Sequence, residues 1–295
     1  MSKNEKGGIE IKNVTMAYGK NTVLDNISLK IEHGKIYGLL GRNGTGKTTL
    51  INLMTNRHFP ISGQVLVDGQ SVIENDAAMG KIYTMSEKNY VPEETKVSDL
   101  FRFAKIFYSD FDMDYAMKLT EKFNLPVKKQ LKSLSTGFGT IAKLITALAS
   151  GAPYVMLDEP VLGLDANHRD MFYSELLENY ASNPRTFVLS THLIGEVAGI
   201  LEHVVILHDK KILLDRPMEE VEQMGYSISG RAADVDSFVT GREKIGEQSL
   251  GSLKTAWVMG RLAENDVAAL PAGVEINRMD LQQLFIRLTN AQEVK

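Results

Sequence analysis

The sequence predicts an α/β fold built around a phosphate-binding loop, followed by a small α+β unit at the C-terminal end. Three observations predict it. Residues 41–48 read G-R-N-G-T-G-K-T, between an apolar run at 36–40 and the pattern T-L-I-N-L-M at 49–54. That is the buried strand, glycine loop and helix that G-x-x-x-x-G-K-[ST] requires. Further short apolar runs at 82–85, 154–157 and 185–190 alternate with longer helical patterns, as in a sheet covered by helices. From about residue 219 the order changes to β-α-β-β-α-β.

The loop carries a specific chemistry. Gly41, Gly44 and Gly46 allow backbone conformations closed to residues with a Cβ, so consecutive N–H groups converge on one anion. The main chain of Arg42, Asn43, Thr45 and Thr49 belongs to the same cradle, and the helix N-terminus adds a partial positive charge. Lys47 supplies a mobile cation for the outer phosphates, and the Thr48 hydroxyl suits Mg²⁺. This is a site for a nucleoside triphosphate.

Composition sets the outer limits. Hydrophobic residues make up 43% and charged residues 24% of the 295, the profile of a soluble globular protein with a real core. A formal net charge of −4 argues against a broad nucleic-acid surface, and no nucleic acid partner is expected. There are no cysteines, which removes disulfides and thiolate metal sites and suits the cytosol. Residues 1–8 have no apolar core, so no signal peptide is expected. Nothing approaches a run of about 18 apolar residues, so any membrane role comes through a partner.

The elements follow in order. Residues 9–14 and 27–31 alternate apolar and polar side chains, as half-buried antiparallel strands do. Tyr18, beside Gly19, is either a turn residue or an aromatic that stacks on adenine. A strand at 64–67 ends in the tight turn Asp68-Gly69, and another spans 82–85 before Glu87. From about 92 to 140 the pattern is helical. Leu100, Phe103, Ala104 and Phe107 share one face, Tyr115, Met117, Leu119 and Phe123 belong to a second helix, and Pro126 breaks the run. Such an insert predicts a subdomain that moves as a unit. Ser135 suits the N-cap of a helix running to Ala149, and Gly137 and Gly139 leave its first turn bare, at a cost in stability unless something must approach closely.

A buried strand at 154–157 ends in Asp158 and Glu159, with Pro160 stopping it. Beside a phosphate loop these two carboxylates divide the work: Asp158 for Mg²⁺, Glu159 to accept a proton from the attacking water. Gly163-Leu-Asp165 turns into a helix predicted over 169–180. The strand at 185–190 delivers Thr191 and His192 to its C-terminal end, where ligands collect in open α/β sheets; His192 is there as a structural or a catalytic residue. Residues 204–207 and 211–214 read as a closing hairpin.

By His192 this ordered set resembles the ATP-binding cassette (ABC) transporter ATPases, over residues 9–218. Tyr18 matches the family's adenine-stacking aromatic, residues 41–48 its Walker A loop, Glu87 its Q-loop and residues 134–138 its signature. Residues 155–159 match Walker B, Leu164 and Asp165 the D-loop, and His192 the switch histidine. The resemblance implies a RecA-like core with an antiparallel β subdomain and a helical subdomain at about 90–150. It also implies a head-to-tail dimer in which Ser135, Thr136 and Gly137 of one subunit clamp the γ-phosphate held by the other. Two motifs depart from the pattern. Thr136 and Phe138 replace the third and fifth residues of L-S-G-G-Q, and Glu87 stands where glutamine is usual, bringing a charge that can ligate Mg²⁺ but disfavours a bare phosphate.

The tail, 219–295, predicts strands at 226–229, 244–250, 253–259 and 274–277 and helices near 233–239 and 263–270, the order of a ferredoxin-like sandwich. It is a stabilising or dimerising appendage, or else a regulatory domain. An amphipathic helix over 280–288 ends the domain; its end resembles the terminus of cassettes serving drug and peptide exporters, and it is placed to pack back on the cassette. The expected protein is a cytoplasmic ATPase subunit, peripheral on the cytoplasmic face of the membrane. It pairs with itself or a paralogous cassette over two Mg²⁺-ATP and drives a separate integral membrane permease that exports a drug, peptide or lipid-like cargo. The alternatives are a soluble ABC ATPase acting on ribosomes or DNA, and a cassette that binds ATP with little hydrolysis.

Overall fold

The computed structural model describes residues 7–88, 91–262, 270–271 and 273–293. They form two compact units. One is built from the residues up to His192 together with Val205–Asp215, the other from Leu193–Val204 and the residues from Arg216 onward.

The first unit holds two sheets. Strands β1 (Gly8–Tyr18), β2 (Asn21–Glu32), β4 (Ser62–Val67) and β5 (Gln70–Ser71) form one sheet in the order β2-β1-β4-β5, with every pairing antiparallel. The first two strands run well beyond the stretches that alternation picks out. Register shifts interrupt their pairing around Ile11, Val14 and Met16, and Asn13 and Asn26 sit at φ 51° and 50°. Each such bulge flips the side-chain alternation, so the pattern breaks where the strand does not. Asp68 and Gly69, at φ 49° and 77°, make the tight turn into β5.

The second sheet has the order β10-β9-β3-β8-β7-β6: β3 (Ile36–Leu40), β6 (Ile82–Met85), β7 (Tyr154–Asp158), β8 (Thr186–Thr191), β9 (His203–His208) and β10 (Lys211–Pro217). Strands β3, β8, β7 and β6 pair in parallel. Helix α1 (Lys47–Met54) buries Leu50, Ile51, Leu53 and Met54 in one core with Ile9, Ile11, Leu29, Val65, Leu39 and Met156. The sheets are also joined by polar contacts: Tyr154 Oη donates to Asp68 Oδ1 at 2.5 Å, and Lys81 Nζ pairs with Asp68 Oδ2 at 2.6 Å.

Between β4 and β7 come α2 (Asp76–Met79), α3 (Val97–Phe107), α4 (Met113–Lys122) and α5 (Thr136–Ala149). Helix α3 buries Val97, Phe101 and Ala104. The predicted apolar face is therefore only partly a core face: Phe103 and Phe107 are 43% and 78% exposed. Helix α4 ends at Lys122 and Phe123 caps it. Helix α6 spans Ala166–Ser182, starting three residues before the predicted helix at 169–180 because Asp165 caps it, accepting from His168 N at 2.9 Å.

The second unit carries α7 (Ile194–Val197), α8 (Met218–Val221), β11 (Gly225–Arg231), α9 (Ala232–Val239), β12 (Glu243–Leu250), β13 (Leu253–Met259), β14 (Glu275–Arg278) and a C-terminal helix, Leu281–Glu293. Its sheet has the order β12-β13-β11-β14, antiparallel throughout. Val235 and Val239 of α9 pack on Tyr226, Ile228, Ala256 and Val258. The helix predicted near 263–270 falls, apart from Leu270, outside the described residues. The C-terminal helix lies against α7 and β12, with the Arg287 guanidinium 3.5 Å from the centroid of the Trp257 ring.

Candidate active site

Strand register assembles the site. In the parallel pairs Leu40 lies opposite Thr191, and Asp158 opposite Ser190. Three C-terminal strand ends therefore open side by side, the place where open α/β sheets bind ligands. The phosphate loop follows Leu40, Glu159 follows Asp158 and His192 follows Thr191.

The loop is shaped by glycine. Gly46, the N-cap of α1, sits at φ 105°, and no side chain caps the helix. A Cβ there would lie 2.9 Å from Leu24 Cδ2, and one on Gly41 would lie 2.5 Å from Thr45 Oγ1 and 2.7 Å from Leu207 O. Side chains are thus excluded from the wall behind the loop, while Arg42, Asn43, Gly44 and Thr48 are exposed. Thr45 Oγ1 donates to Arg42 O at 2.9 Å, closing the turn. Lys47 is buried, and its Nζ donates to Gly41 O at 2.7 Å and Arg42 O at 3.2 Å. Burial pushes its pKa down, and the carboxylates of Glu159 and Asp158 pull it partly back. Thr49 is turned inward, its hydroxyl 3.4 Å from that of Tyr18. Tyr18, 47% exposed, stands over the helix start with its ring edge-on to His58.

The acid pair is held in two ways. Asp158 is buried and accepts from Ser190 Oγ at 2.8 Å. Glu159 has φ 48°, with its N–H bonded to Ser190 O at 2.8 Å. Such a left-handed φ is uncommon for a residue with a side chain and is held here by that bond at the strand end. His192 Nδ1 lies 2.9 and 3.0 Å from the two Glu159 oxygens, and Thr191 Oγ1 donates to Oε2 at 3.3 Å. Ser190 and Thr191, which sequence reasoning passed over as strand residues, orient both acids. Their signal was available in the run of hydroxyl residues just before His192.

Glu87, Ser135 and Thr136 line one cavity of about 330 Å³ with Asp158 and Glu159. Ser135 Oγ accepts from Phe138 N at 3.3 Å, so α5 has the expected cap. Of the two bare glycines, Gly137 has a steric reason: a Cβ there would lie 3.1 Å from Gly163 O, and one on Gly163, at φ 81°, 3.0 Å from Thr136 Cγ2, whereas a Cβ on Gly139 would meet nothing within 4 Å. Thr140 Oγ1 also donates to Leu162 O at 3.2 Å. The Phe138 ring is edge-on to His168, which stacks on Phe123 and lies 2.9 and 3.0 Å through Nδ1 from both oxygens of Asp165. Asp165 is thus a helix cap tied to His168, and Phe138 is packed where a polar residue was expected.

Residues 24–162 match the family described as ABC transporter. The putative ABC transporter ATP-binding protein AlbC of Bacillus subtilis (strain 168) is 32% identical over 72% of this chain and 92% of its own length. The chain belongs to the ABC transporter ATP-binding proteins. A second relative, ABC transporter ATP-binding protein YtrB of the same organism, is 28% identical over 80% of each chain. A solved structure described as an ATP binding subunit of an ABC transporter has the same fold, with a TM-score of 0.66 and 21% identity over 73% of this chain and 92% of that one. The chain is therefore an ATP-binding, ATP-hydrolysing subunit of a transporter, and its fold is the ABC cassette carrying a small α+β unit.

The cassette's residues fit Mg²⁺-ATP. An uncapped helix start, a glycine wall that a Cβ would fill and a buried ammonium make an anion cradle. Among the described residues no three His, Asp or Glu side chains converge on one point, and Mg²⁺ characteristically keeps waters and phosphate oxygens beside one or two carboxylates. The exposed Thr48 hydroxyl and Asp158 suit that role. Among the described residues no helix is long and apolar enough to cross a membrane.

Proposed function

We propose that this cassette pairs with a second one, alike or paralogous, over two Mg²⁺-ATP, and so drives a separate integral membrane permease from the cytoplasmic face. The observation that carries the permease reading is an apolar groove of about 220 Å³, lined by Tyr83, Met85, Leu100, Phe103, Phe107 and Tyr108. Of its lining residues Phe103 and Phe107 are 43% and 78% exposed, and Ile106 on the same helix is 75% exposed. Apolar surface of this kind marks an interaction site rather than a folding requirement. The groove shares Met85, Ser86, Leu131, Gly139 and Lys143 with the cavity that holds Asp158 and Glu159. An apolar helix end of the permease seated in it would thus sense the state of the nucleotide side through shared walls.

In this reading Lys47 and the loop N–H groups hold the phosphates, with Tyr18 against the base. Thr48, Asp158 and Glu87, the last in the same cavity as Asp158, would hold Mg²⁺, which would neutralise phosphate charge. Glu159 takes the proton of the attacking water, and His192 fixes its carboxylate. Ser135, Thr136 and Gly137 of the paired cassette, with its Asp165, complete the pocket. The cargo class, a drug, peptide or lipid-like molecule moved outward, is supported by the resemblance at the C-terminal end. A photo-crosslinking residue at position 103 or 107, in cells, tests the groove: the expected adduct is an integral membrane protein. Adducts that form only from positions within 219–295 would overturn it.

A further inference from the structure

Lys143, on α5, lines both the apolar groove and the polar cavity. Its Nζ donates to Ser86 O at 3.0 Å and to Glu87 O at 2.6 Å. One ammonium on two consecutive carbonyls is a charge-assisted clamp, about twice as strong as its neutral equivalent, and it holds the peptide that carries Glu87. The cavity wall has four carboxylates, Glu87, Glu93, Asp158 and Glu159, and two ammonium groups, Lys132 and Lys143. Lys132 is paired with Glu94 at 3.3 Å.

We infer that Lys143 is a positioning residue for ATP hydrolysis: by clamping the Ser86–Glu87 backbone, it sets where Glu87 stands in the cavity of Asp158 and Glu159. The inference rests on Glu87 belonging to the nucleotide site and is independent of the permease reading.

The test is a cycle of Lys143→Met, Lys143→Arg, Glu87→Ala and the double variant in the full-length chain. It reads kcat and KM for Mg²⁺-ATP by phosphate release, with thermal midpoints alongside. Methionine keeps the stem that packs under the groove and removes the charge. Misplacing a reacting group by about 1 Å costs up to about 10²-fold, so Lys143→Met should lower kcat by about ten-fold or more. Lys143→Arg should stay within about three-fold of wild type, since it keeps the charge and the donors. In the Glu87→Ala background the same Lys143→Met change should cost under about three-fold, because no side chain at position 87 remains for the clamp to place. A Lys143→Met kcat within about two-fold of wild type would overturn the inference. So would an equal loss in both backgrounds, which is the mark of packing alone. Should the methionine variant fail to fold, Lys143→Gln, which still donates but is neutral, takes its place in the cycle. No permease is present in this assay, so its outcome and that of the crosslinking experiment are separable.

Discussion

Replacing Glu159 by glutamine removes one charge and one proton acceptor while keeping the side chain's length. The main chain at 159 is set by its own φ of 48° and its bond to Ser190 O, neither of which the substitution touches. One amide oxygen still accepts from His192, so stability should change by less than about 1 kcal/mol. The catalytic cost is much larger. A positioned general base contributes about 10²–10⁴ in rate, or about 3–5 kcal/mol of barrier at about 1.4 kcal/mol per factor of ten. The assay is phosphate release at saturating Mg²⁺-ATP, with nucleotide affinity from a fluorescent analogue and pairing from sedimentation. The expected result is hydrolysis lowered by about 10²-fold or more, affinity within a few-fold, and an ATP-dependent pair that no longer dissociates. Wild-type turnover by the variant would refute the assignment. Loss of affinity in step with turnover would show instead that Glu159 acts by balancing Lys47, whose pKa its charge pulls up.

Three further outcomes follow from particular contacts. Gly46→Ala forces a side chain into φ 105° and to 2.9 Å from Leu24 Cδ2. Nucleotide affinity should fall by about ten-fold or more, with about 1–3 kcal/mol of backbone strain in the loop; unchanged binding by calorimetry would contradict the cradle. Burial pushes the Asp68 pKa up, but hydrogen bonds from Lys81 and Tyr154 outweigh it and leave the group below its ordinary 3.8. A depressed folded pKa gives stability that is present above the unfolded value and lost as pH falls through the folded one. Urea melts should therefore show Asp68→Asn about 1–2 kcal/mol less stable at pH 7, with the gap closing below about pH 4. Phe107→Asp, at a side chain 78% exposed, should shift stability by no more than about 0.5 kcal/mol and leave basal hydrolysis intact while co-purification with the permease is lost.

Much of the cassette is legible in the chain because its chemistry is local. A phosphate loop needs glycines, a lysine and a hydroxyl within one turn of a helix, so residues 41–49 declare themselves. Asp158 and Glu159 do so as well, since an apolar strand ending in two acids has few other uses beside such a loop. Turns are equally local: Asp68-Gly69 and the Ser135 cap stand where their side chains put them. Length in β1 and β2 was hidden because bulges at Asn13 and Asn26 reset the alternation that marks a strand. The start of α6 is hidden because its cap, Asp165, reads as the end of the turn Gly163-Leu-Asp165.

The sequence by itself determined the nucleotide chemistry and the order of the elements that carry it. Tertiary structure alone decided which distant residues share a wall: that Thr191 hydrogen-bonds Glu159, that Phe138 rests on His168, that Lys143 holds the backbone of Glu87. The exposed side of α3 belongs to the same class, since Phe103 and Phe107 share a predicted apolar face with Leu100 and Ala104, and only the fold leaves them lining an open groove. The physical reason is range. Backbone conformation and capping are settled within a few residues, whereas parallel strand register and helix packing bring together residues dozens of positions apart, and no local pattern encodes that meeting.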